Sequence, residues 1–88
     1  MDKMDAALCE RFTAAPDEVV GLIVRTDGDP TPHLARLGEM GMRVERRFRL
    51  LPGVSVTGRA RAALSLAHEA WVLKIEEDRA VVAQQRRG

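Results

Sequence analysis

Aromatic side chains are nearly missing from this chain. Phe12, Phe48 and Trp71 are the whole set, and there is no tyrosine. A base-stacking platform needs aromatics on an exposed sheet face, and this inventory has few to spare. A surplus of one charge is missing too. The 14 Lys and Arg residues meet 13 Asp and Glu, for a net charge of +1. A general nucleic-acid binder is usually clearly basic, so no nucleic-acid partner is expected. Cys9 is the only cysteine, which excludes an internal disulfide. No apolar run reaches signal-peptide or membrane-spanning length, and the expected setting is cytoplasmic, with no membrane contact.

Chemistry-bearing residues are equally sparse. Ser55 and Ser65 are the only serines, His33 and His68 the only histidines. Nothing marks the strained turn of a hydrolytic nucleophile. The histidines have no cysteine or carboxylate at ligand spacing. Asp27-Gly28-Asp29 resembles part of a calcium loop but lacks the downstream acid, and reads as a plain turn. Arg43, Arg46, Arg47 and Arg49 are interrupted by Glu45, so they read as a solvated edge rather than a phosphate patch. No catalytic residue, metal or cofactor is expected, and the chain is not read as an enzyme.

The chain that remains is one small domain. With 88 residues it buries about 60–65% of its unfolded surface, and its stability should be modest. Residues 1–16 form a leader. Met4, Ala7, Leu8 and Phe12 fall near helical spacing ahead of Pro16, so the leader is frayed or a short helix. Glu18 to Thr26 reads as a central strand, apolar on both faces. Thr31 caps a short helix with Pro32 in its first turn and Gly41 as its left-handed stop. Gly38 weakens that helix or lets it approach the sheet. Arg43 to Leu51 alternates as a charged edge strand, with Val44, Phe48 and Leu50 on one face. Pro52-Gly53 predicts a type II turn. Val54 to Val56 is a short strand, and Thr57 caps a helix over Arg59 to His68 with Ala60, Ala63, Leu64 and Ala67 inward.

The last ordered element is the one on which function turns. Trp71 to Ile75 reads as a strand that stops at Glu76, Glu77 and Asp78. The order β-α-β-β-α-β predicts an α+β, ferredoxin-like two-layer sandwich with one antiparallel four-stranded sheet over residues 17–79. Both helices then cover one face. The bare face should leave large apolar side chains of the first strand uncovered, as interfaces do. Residues 80–88 form an extended C-terminal tail.

The second half resembles the subtilisin-propeptide-like inhibitor family. The resemblance rests on Arg46-Arg47-Phe48-Arg49-Leu50-Leu51-Pro52-Gly53-Val54-Ser55-Val56, on Leu64, and on Val72-Leu73-Lys74-Ile75-Glu76-Glu77-Asp78. It runs over residues 18–84 and is specific in the second half. It implies a module that packs its bare sheet face on two surface helices of a subtilisin-like serine protease, as inhibitor or folding chaperone. Glu76, Glu77 and Asp78 would meet the N-termini of those helices. The tail would lie in the active-site cleft as an added strand, with Gln84 in the primary pocket, then Ala83, Val82 and, in the fourth pocket, Val81. Gln84 departs from the larger apolar group usual there. The chain reads as a free-standing relative. The expected state is a monomer, with a homodimer as the alternative. The competing function is a ferredoxin-like regulatory or homodimerisation domain with no protease partner, using the same bare face.

Overall fold

Val19–Thr26 (β1) carries a run of β-branched and aliphatic residues, and that run places it at the centre of the sheet. The computed structural model describes residues 3–78. Within them one open antiparallel sheet has the strand order β2-β3-β1-β4, with β2 at Arg43–Arg47, β3 at Gly53–Arg59 and β4 at Val72–Glu77. Three helices accompany it: α1 (Ala6–Ala14), α2 (Leu34–Glu39) and α3 (Ala60–Leu66), with a 3-10 turn at Thr31–His33 leading into α2. The molecule is therefore α+β.

Register sorts the side chains into two faces. Leu22 lies opposite Val56 and Glu77, and Val24 opposite Val54 and Ile75. Val20, Leu22, Val24, Val54, Val56, Val72 and Ile75 are all buried. They share one cluster with Leu37 of α2 and with Ala60, Ala62, Ala63 and Leu66 of α3. The alanines of α3 explain its close seat, since a short side chain lets helix and sheet approach.

The leader is a full member of this core. Asp5 accepts from the Ala7 N–H at 3.4 Å and starts α1, and the Ala15 N–H returns to the Arg11 carbonyl before Pro16. Met4 and Phe12 are buried in the same cluster as the strands. Met4 forms a parallel bridge to Ile75, whose N–H donates to the Lys3 carbonyl at 2.7 Å. Residues 3–14 thus pack beside the edge of β4 and against α3, not apart from the body.

Several local expectations are corrected. Thr31 does not cap its helix. Neither the 3-10 turn nor α2 has a side-chain cap; Asp29 instead orders the approach, accepting from the Thr31 N–H at 2.9 Å and from its hydroxyl at 2.7 Å. Gly41 takes φ +82° and ends α2 as expected, but a side chain on Gly38 would meet nothing within 4 Å, so no close approach exists there. The edge strand β2 stops at Arg47, and Leu50 is 96% exposed. Gly53 does not turn with positive φ; it opens β3, paired with Arg25. β3 runs on through Thr57, which therefore caps nothing, and α3 ends at Leu66, short of His68.

Candidate partner-binding face

The strand period of two sends alternate residues away from the core. The face so formed can be read in rows across the sheet. Lys74, Arg25 and Gly53 make one row, and the Phe48 ring lies close over Gly53. Glu76, Ile23, Ser55 and Arg46 make the next. Gly21, Thr57 and Arg43 follow, and the Asp78 N–H donates to the Gly21 carbonyl at 2.8 Å, which adds Asp78 to that row. The β4 side of this face carries Glu76 and Asp78, with Lys74 one row away. The β2 side carries Arg43 and Arg46, with the Glu45 carboxylate turned onto the face to accept from Thr57.

This face is more polar than expected. Of β1, only Val19 at 43% exposure and the half-buried Ile23 present apolar groups outward; Gly21 has no side chain and Arg25 is charged. Apolar character on both sides of β1 was real in sequence, but Gly21 interrupts the outward side. The polar groups are mostly satisfied. Ser55 Oγ donates to Asp78 Oδ2 at 3.1 Å, and Thr57 Oγ1 donates to Glu45 Oε2 at 2.9 Å. Arg25 Nε donates to Glu76 Oε1 at 3.3 Å, with both side chains more than 40% exposed. Such a pair in water is worth little, which leaves Glu76 open to a competing cation.

The three carboxylates at the strand end do not act together. Glu76 and Asp78 lie on the open face. Glu77, between them, turns to the helix side and is bound by Arg11 of α1, one contact being 3.1 Å from Nη1 to Oε1. The hydrogen bond to Glu77 raises the Arg11 pKa above its ordinary value, outweighing the burial that lowers it. Arg11 was invisible to sequence reasoning, because nothing in the leader announces a partner 66 positions away. Ser55 was missed for the same reason. Val81, Val82, Ala83 and Gln84 lie outside the described residues.

Elsewhere the chemistry is structural. His33 stacks on Trp71 with ring centroids 4.2 Å apart and planes within 2°. Glu69 accepts from Trp71 Nε1 at 3.3 Å and Arg36 Nε at 3.1 Å, tying α2 to the approach of β4. Arg47 leaves the arginine run and bonds Asp29 at 3.3 Å. Arg46 lies over the Phe48 ring at 5.4 Å. Among the described residues no group of three or more His, Cys, Asp or Glu side chains could hold a metal ion. No described helix is long and apolar enough to cross a membrane. A surface groove of about 630 Å³ runs between α1 and β4, bordered by Leu8, Arg11, Lys74 and Glu76. No protein-family model matches this sequence, and no curated protein is significantly similar to it.

Proposed function

We propose that this chain is a propeptide-like module that binds a subtilisin-like serine protease through its open sheet face and its C-terminal tail, inhibiting the protease or assisting its folding. The observation that carries the reading is the end of β4. There the strand alternation sets Glu76 and Asp78 on the helix-free face, at the point where the described body gives way to residues 79–88. Two carboxylates on a flat face are suited to the N–H groups at the start of a partner's helices, where anions are favoured. Glu77 is engaged by Arg11, so the helix-capping role narrows to Glu76 and Asp78.

The order β2-β3-β1-β4 supports the finer reading of the fold as a ferredoxin-like β-α-β-β-α-β sandwich. Helix α1 is an addition to that plan. Val81, Val82, Ala83 and Gln84 are proposed as the segment that adds a strand in the protease cleft, with main-chain bonds supplying affinity and Val81 and Gln84 supplying selectivity.

The test is a titration of a panel of subtilisin-like proteases with the whole chain and with a chain ending at Asp78. The whole chain should inhibit at least one of them. Truncation should weaken inhibition by about a hundredfold or more, the scale of several lost main-chain bonds and two filled pockets. Equal potency of the two chains removes the tail from the mechanism. No inhibition and no folding assistance by either removes the protease.

A further inference from the structure

The charges on the open face are arranged so that the face complements itself. Glu76 and Asp78 stand on the β4 side, and Arg46 and Arg43 stand in the same two rows on the β2 side. Between them in these two rows the central strands present Gly21, Ser55 and Thr57, small side chains or none, and the half-buried Ile23 as the one larger apolar group. Consider a two-fold axis parallel to the strands and lying just above this face. It places β4 of one copy over β2 of the other and keeps each row in register. Glu76 then meets Arg46 of a second copy, and Asp78 meets Arg43. Lys74 comes over Phe48, a cation over an aromatic face. An axis across the strands places β2 on β2 and sets arginine against arginine.

We propose that the open face pairs with the same face of a second copy in an isologous dimer of this register. Asp78 accepts from Ser55 and Arg46 lies over the Phe48 ring, while the charged partners of Glu76 and Arg43 are weak competitors. Arg25–Glu76 and Arg43–Glu45 are exposed pairs, the latter at 3.6 Å with Arg43 82% exposed. The proposal does not rest on the protease reading. It does imply that a protease and a second copy compete for one surface. Four strands at about 4.8 Å spacing and about 20 Å long give a footprint of roughly 400 Å² per copy. That is small beside the roughly 800 Å² per partner of a standard interface, so the dimer is weak and concentration-dependent.

Sedimentation of the whole chain over roughly 10–500 µM tests this, the range where a small polar interface associates. A reversible monomer–dimer equilibrium is expected, weakening as salt is raised. Arg46→Glu and Glu76→Lys should each weaken self-association about tenfold or more. Mixed in equal amounts, the two variants should form a heterodimer, since 46 and 76 then meet with opposite signs at both symmetry-related contacts. No folding defect can produce that recovery. Arg43→Glu and Asp78→Lys supply an independent pair if either first variant fails to fold, as circular dichroism will show. A chain that stays monomeric throughout overturns the proposal and leaves the face to another partner. A dimer indifferent to the single reversals, or variants that do not recover on mixing, overturns the register.

Discussion

Gly53 shows how one residue can be required for a reason its sequence context misstates. Pro-Gly advertises a turn, but Gly53 has no positive φ and begins a strand. A side chain there would place its first carbon 2.7 Å from the Val24 carbonyl oxygen and 3.2 Å from the Phe48 ring. Backbone does not yield as a flexible side chain does. Gly53→Ala should therefore destabilise the fold by about 1–3 kcal/mol, read as a lowered urea midpoint with an unchanged slope. Carboxylates at two other positions set the response to acid. The Thr31 N–H, and next its hydroxyl, hold Asp29 below the usual carboxylate range; the Arg36 guanidinium chiefly does the same for Glu69. A lowered folded pKa means stability that is complete above the unfolded value of about 4 and is lost as pH falls through the folded one. Asp29→Ala and Glu69→Gln should each lose stability at pH 7 and converge with the parent chain at low pH, as denaturant midpoints across pH will show. Asp29 is exposed and Glu69 only half-buried, so the separation should be small.

Among the elements, α1 departs furthest from the plan its sequence position implies. Its apolar spacing was legible in part: Leu8 and Phe12 lie on the inward side of α1, but Met4 precedes the helix in an extended bridge and Ala7 is exposed. Where that side would be buried was not, because a helix ahead of the first strand has no neighbour in sequence to name its partner. The structure seats Phe12 in the common core and ties Lys3 and Met4 to the backbone at Ile75. Phe12→Ala should cost about 3–5 kcal/mol, a large part of what so small a domain holds, and should lower the thermal midpoint of the whole molecule in one transition. A leader that merely frayed would leave that midpoint where it was. β2 errs the other way. Its alternation continued to Leu51 in sequence, but pairing with β3 stops at Arg47, and the chain then arches through 48–52 to begin β3. Alternation describes what a strand could be; a partner with free hydrogen-bonding groups decides where it ends.

At the scale of the whole molecule, both proposals fall on one face of the sheet. The core side is filled by three helices, and Glu77 is drawn to that side by Arg11. The other side sets Glu76 and Asp78 near one edge and Arg43 and Arg46 near the other. If both proposals hold, protease added to associated chains should dissociate them, and inhibition per chain should fall as concentration enters the dimeric range. Sedimentation of fluorescently labelled chain with and without protease reads both effects. Dimers that persist with protease bound would show that the two partners use different surfaces.

Hydrophobic periodicity by itself determined the strand and helix order, the central place of β1 and the charged edge at β2, because each follows from neighbours a few residues apart. The end of the sheet near Asp78 was equally plain, since three successive acids cannot enter a core. Tertiary structure alone decided the rest: that the leader belongs to the core, that Glu77 parts company with Glu76 and Asp78, and that acids and arginines from opposite edges share rows on one face. These depend on strand register, and register is fixed by pairing between segments far apart in the chain. A shift of one residue would exchange every side chain between the two faces.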